Sequence, residues 1–255
     1  MGTGIACTHP TIILLCVHKG ASTFLANDFA PALTKVLRGM KHVEMGQEVV
    51  NGRTVEDFPL PPTGVVMSRV YPFLYDEIVE DPVPAAGRFA DKKLVMLRRD
   101  PRDVAVSLYY SIRYSHTSKT RNPEAFLRKR ERLEALDICQ GIAEETAPTA
   151  MKQFKSTFKF MRQHPDACLT TYEQLILDFD GWFDRVSSYL ELTDEETEKI
   201  RTRIAPTVEP PAKENPRKHK RRVTPGNWRE IFDDDLRALF EERVGRQLEK
   251  ANYSW

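Results

Sequence analysis

Long hydrophobic runs are missing from this chain of 255 residues, and the longest, Thr11 to Val17 (TIILLCV), falls well short of the roughly 20 residues that a spanning helix needs. No basic segment precedes that run as it would in a secretory leader, so a cytoplasmic location is expected and a membrane partner is not. Cysteine is scarce. Cys7, Cys16, Cys139 and Cys168 lie far apart and form no Cys-x-x-Cys pair, which reads as reduced thiols in a chain too large to need staples. The six histidines are scattered with no His-x-x-x-His spacing, so no metal site is expected. An excess of one charge is lacking too, with 38 Lys plus Arg against 37 Asp plus Glu. Overall charge therefore gives no reason to expect a nucleic-acid partner, and any basic site must be local. Among the 12 glycines none stands in a Gly-x-x-x-x-Gly-Lys-Ser/Thr loop, which excludes a Walker phosphate site, and no internal repeat is visible.

What is present suits one large core, with 41% of residues hydrophobic and 29% charged, and a single domain over 1–255 is expected. Thr11 to Val17 is an unbroken β-branched and aliphatic run, the pattern of a strand buried on both faces of a parallel sheet. After the short loop His18 to Ala21, the apolar residues Phe24, Leu25, Phe29, Leu33, Val36 and Leu37 recur with helical spacing. Pro31 inside that pattern predicts a kink or an early break. Shorter strands are expected within 41–50 and 64–70, separated by Pro59, Pro61 and Pro62, with loop over 80–90. Lys93 to Leu97 is a second buried strand, and a helix follows at once, with Asp100 as N-cap, Pro101 in the first helical position and Asp103 in an acidic first turn. Further helices are expected over 124–140, 146–163, 182–190 and 233–250, with a short strand at 167–171. Strands alternating with helices predict an α/β fold, a three-layer sandwich whose central, mostly parallel sheet is flanked by helices.

Two constellations carry chemistry. In the first, a strand leads through His18-Lys19-Gly20-Ala21-Ser22-Thr23-Phe24 into a helix, where free backbone N–H groups, a positive dipole end and small residues suit an anion. An ordinary strand-to-helix turn with a surface lysine is the plainer alternative. In the second, Arg99 follows a strand and Ser107 lies eight residues on, two turns into a helix, so a planar cation and a hydroxyl are placed to meet one phosphate at the sheet edge. The plainer alternative pairs Arg99 with Asp103 and leaves Ser107 as a packed helix residue.

The run RDPRDVAVSLYYS from Arg99 to Ser111 resembles the signature by which sulfotransferases hold the 3′-phosphate of 3′-phosphoadenosine 5′-phosphosulfate (PAPS). That resemblance assigns Arg99 and Ser107 to the 3′-phosphate and implies a P-loop-like sandwich. The Lys19 loop resembles the family's 5′-phosphosulfate loop, Pro-Lys-x-Gly-Thr-Thr, with His18 in place of proline and Ala21-Ser22 in place of Gly-Thr. It implies cofactor contacts from Lys19, Gly20, Ala21, Ser22, Thr23 and Phe24, with Lys19 neutralising the leaving phosphate. Thr171-Tyr172-Glu173 resembles the strand end whose tyrosine touches the adenine, which suggests Tyr172. Arg221-Arg222-Val223 through Trp228 resembles the Arg-Lys-Gly-x-x-Gly-Asp-Trp loop that closes over the 3′-phosphate, with Val223 where the family has glycine. These pieces fall in family order over about 11–230.

Sulfuryl transfer also needs a base for the acceptor. The segment where many relatives keep a histidine reads Val66-Met67-Ser68-Arg69-Val70-Tyr71-Pro72 here and has none. Carbohydrate-acting relatives use a glutamate near the end of the second strand, which suggests Glu44, then Glu48, with His18 and His116 as further candidates. The expected acceptor is a hydroxyl or amine of a small molecule or carbohydrate. A nucleotide-dependent kinase and a nucleic-acid module built on the basic run at 217–222 are the competing readings.

Overall fold

The computed structural model describes residues 7–46, 60–71, 89, 91–115, 122–208 and 223–255. They fall into two compact units, Met1–Arg98 with Lys159–Glu209, and Arg99–Phe158 with Pro210–Trp255. The first unit holds a five-stranded sheet in the order β2-β3-β1-β4-β5, built from β1 (Ile12–Cys16), β2 (Lys41–Glu44), β3 (Val65–Val70), β4 (Lys93–Arg98) and β5 (Cys168–Thr171). Every pairing is parallel, so all five carboxyl ends lie along one edge. The expected α/β sandwich and its central strand are thus present. Ile12 to Cys16 are at most 2% exposed, the burial on both faces that their unbroken apolar run implies. The chain moves from β1 to one side of the sheet and returns at β4 on the other, which puts a topological switch point at the carboxyl ends of β1 and β4.

One face of the sheet packs on helices of its own unit. Ile12, Leu14, Cys16, Val66, Val95, Leu97 and Cys168 meet Phe24, Phe29, Leu33, Trp182, Phe183, Val186, Ile200 and Ile204. At the centre of this core Phe29 and Trp182 meet edge to face at 5.5 Å between ring centroids, a favoured aromatic geometry. The helix after β1 is interrupted rather than broken at Pro31. Short α1 (Ser22–Phe24) passes into a π-helical turn (Leu25–Phe29) and then α2 (Ala30–Val36). The wider turn removes the need for a bond from Pro31 and eases its ring away from the carbonyl four residues earlier.

The second unit begins with α3 (Pro101–Tyr110), whose N-cap Asp100 accepts a hydrogen bond from the Arg102 backbone N–H, as the sequence predicts. The helix expected over 124–140 divides into α4 (Pro123–Ala135) and α5 (Ile138–Gly141), because Asp137 caps a new start by accepting from the Gln140 N–H. A π-helical turn (Ile142–Thr146) leads into α6 (Ala147–Gln163), which runs across the boundary into the first unit. Beyond β5 come α7 (Tyr172–Leu177), α8 (Phe179–Tyr189) and α9 (Asp194–Val208) in the first unit, then α10 (Asp234–Lys250) in the second. α7 and α9 lie where no helix is expected from periodicity. α9 starts on a capping box, with Thr193 and Glu196 exchanging side-chain to backbone bonds of 2.9 and 3.3 Å. The loop expected at 80–90 lies outside the described residues apart from Phe89. Among the described residues no helix is long and apolar enough to cross a membrane.

Candidate active site

In the first unit the loop from β1 into α1 is tightly wound. The Gly20 N–H donates to the Val17 carbonyl at 3.0 Å, and a Cβ at position 20 would stand 2.8 Å from Val17 Cγ2, so this close turn requires glycine. Lys19 (φ 62°) and Ala21 (φ 65°) both adopt left-handed backbone that residues with a Cβ resist. Such strain tends to gather at functional sites. Ala21 is also the N-cap of α1 and supplies no side-chain bond, whereas the helices starting at Pro101, Pro123, Ile138, Tyr172, Phe179 and Asp234 are each capped by a side chain. A helix start left to its backbone N–H groups suits an anion. Ser22 and Thr23 are half-buried in this turn, and the Phe24 ring lies in the core, stacked on Phe29 at 6.2 Å, which leaves only its backbone to face a ligand.

The loop leans on the end of β3. His18 and Tyr71 meet edge to face at 4.1 Å, and the Tyr71 side chain hydrogen-bonds Ser22. Burial pushes the Tyr71 phenol up, so it remains a neutral hydroxyl. Just before it the β1–β3 register slips: Ile13 pairs with Met67 but Leu15 with Val70, so Ser68 and Arg69 together oppose Leu14. This is a β-bulge, with Arg69 at φ 53°. The bulge re-aims the guanidinium, and its Nη1 lies 2.9 Å from Oε1 of Glu44 at the end of β2. On the same strands His42 Nε2 and Ser68 Oγ are 2.7 Å apart. Burial holds the His42 imidazole below its usual range, with Glu44 pulling it up and Arg69 pushing it down. Burial also pushes the Cys16 thiol up to about 12, against a smaller lowering by Arg69. Tyr172 opens α7 directly after β5 and is 6% exposed. Lys19, Glu44 and Tyr172 therefore all sit at the carboxyl edge of the sheet.

The second unit holds Arg99, Ser107 and Val223. Arg99, Asp103 and Ser107 follow one another at four-residue steps and so share one side of the start of α3. Arg99 Nη2 is 3.9 Å from Asp103 Oδ2, a charge contact too long for a hydrogen bond. The Asp103 carboxylate instead accepts the backbone N–H groups of Gly226 at 2.7 Å and Trp228 at 3.1 Å. Beside it Arg102, fully buried, bonds both Asp100 oxygens and the Ser254 carbonyl, and its guanidinium carbon lies 3.8 Å from the Trp228 ring centroid and 4.7 Å from that of Trp255. Burial pushes the Asp100 carboxyl up, and its bonds to Arg102 oppose that rise. Arg221, Arg222, Glu48, His116 and the basic run at 217–222 lie outside the described residues.

The family model described as "Sulfotransferase domain" matches residues 81–252. The chain belongs to the sulfotransferase family. Within the match lie Arg99, Ser107, Tyr172 and Arg221 to Val223, while the Lys19 loop and Glu44 precede it. Family membership displaces the kinase and nucleic-acid readings. Solved structures of similar fold include mouse sulfotransferase SULT7A1 complexed with PAP, at 16% identity and TM-score 0.57, covering 96% of this chain and 89% of that one. Another is retinol dehydratase in a complex with retinol and PAP, at 16% identity and TM-score 0.56, covering 94% and 82%. No curated protein matches the chain. The sequence assigns Asp103 only to an acidic first turn and to the alternative pairing with Arg99, and it gives Arg69 and Tyr71 no role. The signal for Asp103 is its place midway between Arg99 and Ser107. For Arg69 and Tyr71 it is only their place in the segment where relatives carry a histidine.

Proposed function

We propose that the chain, as one domain over 1–255, transfers the sulfuryl group of PAPS to a hydroxyl or amine of a small-molecule or carbohydrate acceptor. The observation that carries this reading is the arrangement after β4. Arg99 and Ser107 flank Asp103, and Asp103 holds the loop that follows Arg221 and Arg222. A guanidinium and a hydroxyl sharing one side of a helix start fit a phosphate, and PAPS is distinguished by its 3′-phosphate. The uncapped start of α1 and Lys19 fit the 5′ end, with backbone N–H groups from Ala21 to Phe24, in the turn that Gly20 closes, and the Ser22 and Thr23 hydroxyls. Tyr172 is assigned to the adenine and Val223 to the 3′-phosphate loop.

PAPS supplies an activated sulfur whose bond to the bridging phosphate oxygen breaks as the acceptor oxygen or nitrogen bonds to it. Lys19 neutralises the charge that builds on that bridging oxygen, the main electrostatic task in such a transfer. Glu44 receives the acceptor's proton, and Arg69, paired with it, fixes the direction of the carboxylate. The products are the sulfated acceptor and adenosine 3′,5′-bisphosphate (PAP).

The test is an acceptor panel of phenols, alcohols, amines and saccharides incubated with PAPS, with PAP and sulfated product measured together. Acceptor-dependent PAP formation matched by sulfated product is expected. Lys19→Ala should reduce it by roughly 100-fold or more while PAP still binds. PAP release without a sulfated product from any acceptor, or a normal turnover number for Lys19→Ala, contradicts the reading.

A further inference from the structure

Tyr71 stands between the two ends of the proposed chemistry. Lys19 follows β1 and Glu44 ends β2, and β3 lies between those strands in the sheet, so neither of them pairs with the other. The end of β3 reaches toward both. Arg69 pairs with Glu44 at 2.9 Å, and two residues on, Tyr71 touches the Lys19 loop on either side of its left-handed residues. The ring meets His18, just before Lys19, at 4.1 Å, and the phenol hydrogen-bonds Ser22, just after Ala21. The β-bulge makes this placement possible. Because Val70 pairs with Leu15, Tyr71 comes level with Cys16, the last residue of β1. A strand without the extra residue would send the Tyr71 side chain to the opposite face of the sheet. With it, the ring packs on the core that Phe24 and Phe29 share with Cys16.

An ionised phosphate offers only acceptors, so Ser22 bonds one by donating its single hydroxyl proton. The bond to Tyr71 leaves that proton available only when the phenol is the donor. The phenol suits that part, because burial keeps it protonated. We propose that Tyr71 is a positioning residue for the 5′ end of PAPS: its phenol donates to Ser22 Oγ, which turns the Ser22 proton toward the cofactor, and its ring steadies the Lys19 loop through His18. The proposal rests on the PAPS reading above and concerns a residue that reaches the cofactor only through others. The reverse bond, from Ser22 to the phenol oxygen, predicts the opposite sign. Tyr71 would then withhold Ser22 from the cofactor, and removing the phenol oxygen would tighten binding.

The experiment titrates wild type, Tyr71→Phe, Ser22→Ala and the double variant in one buffer at one salt concentration. The ligands are PAP, adenosine 3′-monophosphate, which lacks the 5′-phosphate, and adenosine 5′-monophosphate (AMP), which lacks the 3′-phosphate. Tyr71→Phe keeps the ring against His18 and loses only the hydroxyl. PAP should weaken by about three- to tenfold, as the loss of one hydrogen bond implies, and adenosine 3′-monophosphate should change by less than about twofold. In the Ser22→Ala background the same change should weaken PAP by less than about twofold, because the partner is already gone. Three results overturn the proposal: unchanged or tighter PAP binding in a folded Tyr71→Phe protein, equal losses for PAP and adenosine 3′-monophosphate, or a loss that persists in full without Ser22. Wild type preferring PAP over both monophosphates supports the underlying reading independently of Tyr71; no preference there sinks that reading and the proposal with it. Should Tyr71→Phe fail to fold, amide exchange in wild type replaces it. PAP, and not adenosine 3′-monophosphate, should slow exchange at Ser22 and Tyr71 together, and slowing at Ser22 with Tyr71 unmoved overturns the assignment.

Discussion

Replacing Arg102 with alanine removes the centre of the second unit's aromatic and ionic cluster. The guanidinium donates from Nε to Asp100 Oδ1 at 2.9 Å and from Nη2 to Oδ2 at 2.7 Å, and it also reaches the Ser254 carbonyl at 2.9 Å. Without it Asp100 keeps the backbone N–H of residue 102 but loses the guanidinium that pairs with its buried carboxylate. Breaking a buried pair by removing one partner costs about 3 to 5 kcal/mol. The stacking on Trp228 and Trp255 adds a smaller loss, not independent of the first. Against a usual net stability of about 5 to 15 kcal/mol this is a large fraction. It corresponds to a fall in Tm of roughly 10 °C in a chain of this size. Urea and thermal unfolding followed by circular dichroism and Trp fluorescence read the loss. The double variant Asp100→Asn with Arg102→Met, which removes both charges and keeps an N-cap, should recover most of it. A loss below about 1 kcal/mol for Arg102→Ala, or a double variant no better than the single one, refutes the argument that the cluster is dry and tightly paired.

Ala21→Gly relieves left-handed backbone at a cost in unfolded-chain entropy, so stability should hold or rise by up to about 1 kcal/mol in a denaturant titration. Glu44→Gln should abolish turnover in the PAPS assay and leave PAP affinity within about twofold, because Glu44 is assigned to the acceptor's proton alone. Burial holds His42 and His164 below the usual 6.5, so the unfolded chain takes up protons that the folded chain refuses. Their contribution is complete above pH 6.5 and lost as pH falls through their folded values, so Tm should decline on acidification below that point. His42→Asn with His164→Asn should flatten that slope, and an unchanged slope contradicts the assignment.

Apolar runs and capping residues are local in sequence, and where they decide the structure the sequence is easy to read. β1 and β4 stand out because strands covered on both faces are apolar without alternation, and α3 because Asp100, Pro101 and Asp103 specify its start together. α9 escapes periodicity because only Ile200 and Ile204 are buried along its length, yet the Thr193 to Glu196 box announces it. The π-helical turn before Pro31 follows from how a proline is absorbed, and a pattern of apolar residues cannot distinguish that from a break. Arg69 owes its direction to a register slip between β1 and β3, which belongs to the pair of strands and to neither alone. The residues proposed for the phosphates stand out in the sequence as residue types at fixed spacing. The bonds from the Gly226 and Trp228 N–H groups to Asp103 do not, because they join backbone groups distant in sequence to a side chain.

The claim that this sulfotransferase uses PAPS is tested most directly by calorimetric titration of wild type and Arg99→Ala with PAP, AMP and ATP with Mg²⁺. Wild type should bind PAP in clear preference to the other two, since only PAP offers a 3′-phosphate to Arg99 and Ser107. In a folded Arg99→Ala protein PAP should weaken by at least about tenfold, as the loss of a hydrogen bond to a charged group implies, while AMP stays nearly unchanged. Equal binding of PAP and AMP by wild type, or equal losses for both in the variant, contradicts the account.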